Sequence, residues 1–242
     1  MLTATLLLTL LLGTNASPIL TTRQKTPLDY PPRKMAKAFT LVANITDLSK
    51  PDLFDAPVNH WYLAGVHVGA GRDAAILRAD TPLPGAVFFI NGTGQDISSQ
   101  STTVAMPPIA GAGGGGTNPP TPQSLQFTKS ESDGRIYVGL NFGRGTVGSG
   151  IGVGLRDPYA RLFSPFGASF IVCHEPNPTV GRPQHAVFGI EYGALVPENC
   201  VGMNLLAQCA ELPPLAGEEE LHIVNEGVGC YEDVKAIDWS KW

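Results

Sequence analysis

Short segments that alternate apolar and polar residues, separated by glycine and proline, constrain this chain more than any other feature. The clearest is Arg135–Phe142, where Ile136, Val138 and Leu140 share one face. Alternation with a period of two is typical of a strand with one buried face. No long segment has the 3.6-residue period of an amphipathic helix. The sequence therefore predicts a mainly β fold, a single-domain β-sandwich or barrel.

Other segments have the same alternation and are bounded by turn residues. They are Ala38–Asn44, Trp61–Val68, Ala74–Ala79, Ala86–Ile90, Ala168–Cys173, His185–Tyr192, Cys200–Leu206 and His222–Asn225. In the first of them, Phe39 and Leu41 share one face, and Thr40 and Asn44 share the other. This predicts a half-buried strand with Asn44 facing outward. The end of the chain, Tyr231–Trp242, fits either a short helix or an extended tail.

The first sixteen residues have the composition of a cleaved signal peptide. Leu2–Leu12 is an apolar run that is too short to span a bilayer comfortably. The small residues Thr14 and Ala16 then precede Ser17, as at a cleavage site. A membrane anchor is the alternative, but the length of the run disfavours it. We therefore predict a signal peptide over 1–16 and a secreted, extracellular protein that does not span a membrane.

The remaining chain is predicted to contain one domain. Residues 17–37 are interrupted by prolines, which predicts a mobile N-terminal arm, and 38–242 form the β domain. Within it, 94–123 is predicted to be a flexible loop, because it contains four consecutive glycines and repeated prolines. In the arm, Arg33-Lys34 is either a processing site or an ordinary exposed dibasic pair, and we favour the second interpretation.

Four cysteines, Cys173, Cys200, Cys209 and Cys230, lie in the last third of the sequence. An even number of cysteines in an exported chain implies two disulfides. Three pairings are possible, and we take Cys173–Cys200 with Cys209–Cys230 as the preferred one. No C-x-x-C spacing is present, so no metal site is predicted.

Two N-glycosylation sequons are usable, Asn44-Ile45-Thr46 and Asn91-Gly92-Thr93. If these asparagines carry glycans, both must lie at the surface of the folded protein.

Composition and motifs exclude several functional classes. The net charge is −5 and no cluster of Lys and Arg is present, which argues against a nucleic-acid partner. The string Gly143-x-Gly145-x-x-Gly148 matches a dinucleotide fingerprint, but a strand pattern follows it where a helix should begin. No cofactor is therefore predicted. Neither G-x-S-x-G nor H-E-x-x-H occurs, so no catalytic residue is assigned.

Two features could mark a binding site. His67, Arg72 and Asp73 surround a glycine turn, and we predict either a structural ion pair or, as the less favoured interpretation, a binding site. Glycines at every second position of Gly148–Gly154 predict close approach to that face. Another strand or a ring of the same protein is favoured over a flat ligand such as a sugar.

Several pieces of the chain together resemble a group of uncharacterised secreted proteins from filamentous fungi. The matching pieces are AFTLVANITD (38–47), GVHVGAGRDA (65–74), FFINGT (88–93), ENCVGMNLLAQCAEL (198–212) and CYEDVKAIDWSKW (230–242), whose tail has the form CYEDVxxIDW. The resemblance implies secretion, a fungal source and a shared cysteine layout. It implies no activity and no catalytic residues.

Three functions remain open at this point, the third being a purely structural component of the cell wall. The first is a non-enzymatic extracellular protein that binds a glycan or an extracellular protein at a cell surface or host interface. The second is a secreted hydrolase acting on glycans, which needs two carboxylates in one cleft, one of them with a raised pKa.

Overall fold

The structure is a computed structural model, and parts of the chain are described in it. The described residues are 30–50, 53–54, 57–69, 72–79, 87–93, 95–96, 99, 101–107, 123–142, 145–152, 159–176, 183–213 and 227–241. The predicted signal peptide (1–16) and the predicted strand over 222–225 lie outside these residues.

The prediction of a mainly β fold is confirmed. The strands are β1 (Lys34–Ala36), β2 (Ala38–Ile45), β3 (Tyr62–Gly69), β4 (Arg72–Arg78), β5 (Phe89–Asn91), β6 (Thr103–Met106), β7 (Gln123–Lys129), β8 (Arg135–Phe142), β9 (Gly150–Gly152), β10 (Arg161–Phe163), β11 (Ser169–Pro176), β12 (Pro183–Ile190), β13 (Cys200–Ala210) and β14 (Val228–Cys230). A short 3-10 helix, Trp239–Lys241, follows β14. The end of the chain therefore combines a bridge at Tyr231 with one helical turn.

Within the described residues, twelve strands form one large sheet, and its pairings return to their starting strand. The circuit runs β12, β11, β13, β2, β3, β4 and back to β12, with every pair antiparallel. A second run, β5, β6, β7 and β8, joins the circuit where β8 pairs with β4 and β12. Phe88, just before β5, also pairs with Phe39 of β2. Closed pairing of this kind is barrel-like and leaves few exposed strand edges.

Strand β2 lies within this core and differs from its predicted half-buried state. Leu41 and Val42 point to opposite faces, yet both are fully buried in the main apolar cluster. Thr40, which the alternation placed on the solvent side, is only 3% exposed. The prediction was wrong because apolar side chains cover both faces of β2.

The predicted mobile arm (17–37) ends in ordered structure. Lys34–Ala36 is strand β1, and Lys34 is paired with Cys230 of β14. The Lys34 ammonium also forms an ion pair with Glu232 at 2.8 Å. The β domain therefore begins before residue 38, because pairing with β14 orders a segment whose prolines predicted mobility. Residues 17–29 lie outside the described part of the chain.

The predicted flexible loop (94–123) also needs correction. Its residues Thr103–Met106 form β6, which is buried along its whole length, and Gln123 begins β7. The glycine- and proline-rich stretch 108–122 lies outside the described residues. The composition predicted one loop over 94–123. The structure instead has the helical residues Gln95 and Asp96, followed by a short core strand.

Two disulfides join Cys173 to Cys200 and Cys209 to Cys230, the preferred pairing. Cys173 and Cys200 are directly opposite each other on β11 and β13. The second disulfide connects β13 to β14 and so attaches the two-stranded sheet β1–β14 to the main sheet.

Within the run of alternating glycines, Gly150 packs against the protein itself. A Cβ atom on Gly150 would lie 3.1 Å from the ring of Phe163, the residue paired with it on β10. The favoured interpretation, a ring of the same protein, is therefore confirmed at Gly150. Residues 153–158, which include Gly154, lie outside the described residues.

Candidate ligand-binding cleft

The structure brings together two of the three residues of the predicted site. His67 and Asp73 are paired across the β3–β4 hairpin, and His67 Nδ1 lies 3.1 Å from Asp73 Oδ1. The other oxygen of Asp73 accepts a hydrogen bond from Gln123 Nε2 at 3.0 Å. The Asp73 side chain is 19% exposed and that of His67 is 67% exposed. The cluster therefore lies at one end of the core, where Asp73 is mostly buried and the His67 imidazole is open to solvent.

Arg72 does not join this cluster. Successive residues of a strand point to opposite faces, so Arg72 and Asp73 diverge on β4. Arg72 is exposed, stands opposite Asn141 of β8, and forms no ion pair within the described residues. Asp73 is thus paired with His67 and Gln123 instead of with Arg72 as expected. Both partners belong to strands of the same sheet. The binding role proposed for these residues from sequence remains a prediction.

A cleft opens elsewhere, at the ends of β10, β11, β12 and β13. Its volume is about 530 Å³, which falls within the range of small-molecule sites, roughly 300–1,000 Å³. Buried apolar side chains form the floor, among them Leu162, Phe170 and Met203. The walls come from β10 and β13, which carry Arg161 and Asn204, and from the segments 46–47, 163–169 and 191–196.

A guanidinium and an amide stand together on one wall of this cleft. Arg161 Nη1 donates a hydrogen bond to Asn204 Oδ1 at 2.9 Å. Arg161 is opposite Leu206 in the β10–β13 pair, so it shares a face with Asn204, two residues along. Arginine offers several N–H donors in a planar fork, and the asparagine amide supplies more. This pair places a guanidinium and an amide, fixed to each other, in the lining of the cleft.

Two carboxylates also line the cleft, and both are held in the ionised form. Hydrogen bonds from the Ser49 hydroxyl and backbone lower the pKa of Asp47 below its usual value. A hydrogen bond and ion pair from Lys129, at 2.8 Å, lower the pKa of Glu191. A glycosidase needs a carboxylic acid with a raised pKa to protonate the leaving group. Neither side chain meets that requirement.

The rim of the cleft presents large apolar side chains to solvent. Tyr192 is 90% exposed and Leu195 is 92% exposed, while Val196 beside them is partly covered. Tyr192 and Val196 line the cleft directly. A tyrosine ring offers a flat apolar surface with one polar atom, a common feature of binding surfaces. The segment 191–196 is therefore the most distinctive surface feature of the cleft.

Two long-range links hold this rim in place. Lys50 Nζ donates hydrogen bonds to the carbonyl oxygens of Pro197, Glu198 and Cys200, at 3.0, 3.2 and 3.0 Å. The disulfide from Cys200 to Cys173 fixes the same corner to β11. The end of the rim segment is thus attached to the core at two points, which preorganises the cleft.

A second groove, of about 590 Å³, lies between the chain before β1 and the C-terminal segment. Four of its charged side chains form two ion pairs, Lys34 with Glu232 and Lys241 with Asp238. These four charges are therefore satisfied by the protein, and the first cleft is the stronger candidate for a ligand.

A third polar cluster lies on the outer face of the sheet. Arg135 binds both Asp133 and Glu175, and its guanidinium stacks 4.3 Å above the ring of Phe188. Hydrogen bonds from the Ser130 hydroxyl and from Arg135 lower the pKa of Asp133 to about 2. Because one arginine binds both carboxylates, this cluster has the character of a structural ion network.

Among the described residues, no group of three or more His, Cys, Asp or Glu side chains is arranged to hold a metal ion. No helix among these residues is long and apolar enough to cross a membrane.

Sequence reasoning missed the cleft because its polar residues are distant along the chain. Arg161 and Asn204 are 43 positions apart, and neither belongs to a motif. The one available signal was Tyr192-Gly193-Ala194-Leu195-Val196, an uncharged run that begins where the predicted strand over 185–192 ends. An apolar run at a turn is a candidate binding surface.

Comparison with known proteins places the chain in a family. A family model described as "Domain of unknown function (DUF7907)" matches residues 36–209. The chain belongs to this family. The match covers the strands that build the cleft and ends before the tail at 230–242, so the resemblance of that tail stays a prediction.

Two further similarities were found. The protein named "Antigenic protein SchS34" from Stachybotrys chartarum is 32% identical over 241 residues, which cover 94% of this chain and 99% of that protein. Among solved structures, one titled "CARDS TOXIN, FULL-LENGTH" gives a TM-score of 0.32 at 12% identity, covering 78% of this chain and 29% of that one. A TM-score this low carries no argument about fold or function.

Proposed function

We propose that this protein is secreted and acts outside the cell as a non-enzymatic binding protein, with a glycan as its ligand in the cleft beside Tyr192. The observation that carries the proposal is the cleft itself. It combines an apolar floor, the Arg161–Asn204 donor pair and an exposed tyrosine on the rim. Sugars present hydroxyl groups at their edges and apolar C–H surfaces on their faces, and this set of side chains complements both.

Three observations support action outside the cell. Two disulfides form within the domain, and such bonds persist in oxidising compartments. The N-terminal sequence fits a signal peptide. The relative from Stachybotrys chartarum is named an antigenic protein, which supports contact of this family with a host.

The alternative, a secreted hydrolase acting on glycans, receives less support from the same cleft. Its carboxylates, Asp47 and Glu191, both have lowered pKa values. The carboxylates on the outer face, Asp133 and Glu175, are both bound by Arg135. A general acid needs its proton near neutral pH, and a carboxylate with a lowered pKa has lost it.

The test is binding of the secreted, disulfide-intact protein to a defined array of neutral and acidic oligosaccharides. The variants Tyr192→Ala and Arg161→Met remove the rim ring and the wall guanidinium. Each is expected to weaken binding by about tenfold, the effect of roughly 1.4 kcal/mol. Tyr137→Ala is the matched control, since Tyr137 is a half-exposed tyrosine on β8 that does not line the cleft.

Binding that is lost in both cleft variants and kept in Tyr137→Ala supports the proposal. Absence of binding to every oligosaccharide, or equal binding by all three variants, would refute it. Release of reducing sugar from any array member would favour the hydrolase instead.

A further inference from the structure

We propose that Asn44 is an N-glycosylation site whose glycan stands at the edge of the cleft and limits access to it. This inference rests on the proposed function where it treats the cleft as a ligand site. The position of the glycan follows from the pairing of β2 with β13 alone. Asn44 of β2 is directly paired with Asn204 of β13. Directly paired residues in an antiparallel sheet project from the same face. The Asn44 amide therefore stands beside Asn204, which lines the cleft.

The rest of the sequon follows the same wall. Thr46 is two residues after Asn44, so it points to the same side of the chain. Thr46 lines the cleft, and its backbone N–H donates to the carbonyl oxygen of Gly202 at 2.9 Å. A glycan attached at Asn44 therefore begins between two residues of the cleft, Thr46 and Asn204.

The Asn44 side chain is available for modification. It is half-buried on the outer end of β2, and its amide forms no hydrogen bond with any other described residue. In the second sequon, the Thr93 N–H and hydroxyl both donate to Asp96 Oδ2 at 2.7 Å. Modification of Asn44 thus disrupts no polar contact of the described fold.

The modification is a group transfer from a lipid-linked oligosaccharide diphosphate. A bond forms between Asn44 Nδ2 and the anomeric carbon of the first sugar. The bond from that carbon to the diphosphate oxygen breaks, and its electron pair leaves with the lipid diphosphate. Nδ2 gives up one proton to a base in the transferring enzyme. The product is a bulky, hydrated chain rooted beside a cleft of about 530 Å³.

The full chain, produced in a eukaryotic secretory host, provides the test. Wild type is compared with Asn44→Gln, and with Asn91→Gln as the matched sequon control. Intact mass should show that Asn44→Gln lacks one glycan carried by wild type. Hydroxyl-radical footprinting then reads the cleft directly. Oxidation of Tyr192 and Phe163 is expected to be several-fold lower in wild type than in Asn44→Gln, and unchanged in Asn91→Gln. Met35, exposed on β1, is the internal standard.

Removal of the glycan from folded wild type with an endoglycosidase repeats the comparison without a substitution, and should raise oxidation at the same two residues. An unmodified Asn44 overturns the inference, as does equal oxidation with and without the glycan. Footprinting needs no ligand, so protection by the glycan supports this inference even when no oligosaccharide binds and the proposed function fails.

Discussion

The Lys50 ammonium donates a hydrogen bond to the carbonyl oxygen of Cys200 at 3.0 Å, across 150 positions of sequence. Two further bonds run from the same ammonium to Pro197 and Glu198. Through these contacts one lysine satisfies three carbonyl groups at the base of the rim segment. The disulfide at Cys200 reaches the same corner from β11. The geometry of the cleft therefore depends on residues that do not line it.

Replacement of Lys50 by methionine is expected to lower the free energy of unfolding by about 1–3 kcal/mol. The substitution keeps an unbranched side chain of similar bulk but leaves partly buried carbonyl groups without their charged donor. Chemical denaturation measures the loss, and hydrogen exchange should rise in residues 191–200. Lys129→Met is the control, because its pair with Glu191 is solvent-exposed and should contribute little to stability. Equal effects of the two substitutions would contradict the assigned role of Lys50.

Loss of the Cys209–Cys230 disulfide through the paired substitution to alanine should cost about 3 kcal/mol, the value for a closed loop of this size. The same change at Cys173 and Cys200 should cost a similar amount, since the loops differ little in length. Only the Cys209–Cys230 disulfide attaches β1 and β14 to the main sheet, so only its loss should speed hydrogen exchange at 34–36. Fast exchange at 34–36 in the wild type would argue that these residues are not held by β14.

The fold was predictable where one face of a strand is buried and the other is open. Arg135–Phe142 matches β8 at both ends because its alternation follows that simple rule. Prediction was wrong for Thr40, a polar residue that is buried because packing covers both faces of β2. Strand β7 was not predicted at all, because the polar residues Gln123, Ser124 and Gln126 outnumber the apolar residues beside them. Its glutamines bond to Asp73 and Asn141 of other strands, contacts that exist only after folding.

Prediction of the candidate site from sequence was limited in the same way. Cysteine number and compartment predicted two disulfides, because that argument needs no geometry. His67 and Asp73 were chosen together because a tight turn separates them, and they do meet. The cleft residues Asp47, Arg161 and Asn204 come from three distant segments, and only the register of β2, β10 and β13 brings them together.

Acid should reveal the contribution of Asp133. Its pKa is lowered to about 2 by hydrogen bonds from Ser130 and Arg135. The folded state therefore binds this proton less readily than the unfolded state. The stabilisation is present above about pH 4 and is lost as the pH falls toward 2. It should amount to no more than about 1 kcal/mol, because solvent screens this partly exposed pair.

Denaturation curves of wild type and Asp133→Asn between pH 2 and pH 7 test this directly. Wild type should be the more stable protein near neutrality, and the difference should shrink as the pH falls toward 2. A difference that stays constant over this range would show that ionisation of Asp133 does not stabilise the fold.

The central claim, that the ligand occupies the cleft beside Tyr192, is tested most directly by NMR titration with an oligosaccharide that binds on the array. The side-chain amide signals of Asn204 should shift with saturation. Those of Asn141, which bonds to Gln126 on β7, should not. Shifts confined to Asn141, Gln123 and the His67 imidazole would place the ligand at the polar end of the core and contradict the account.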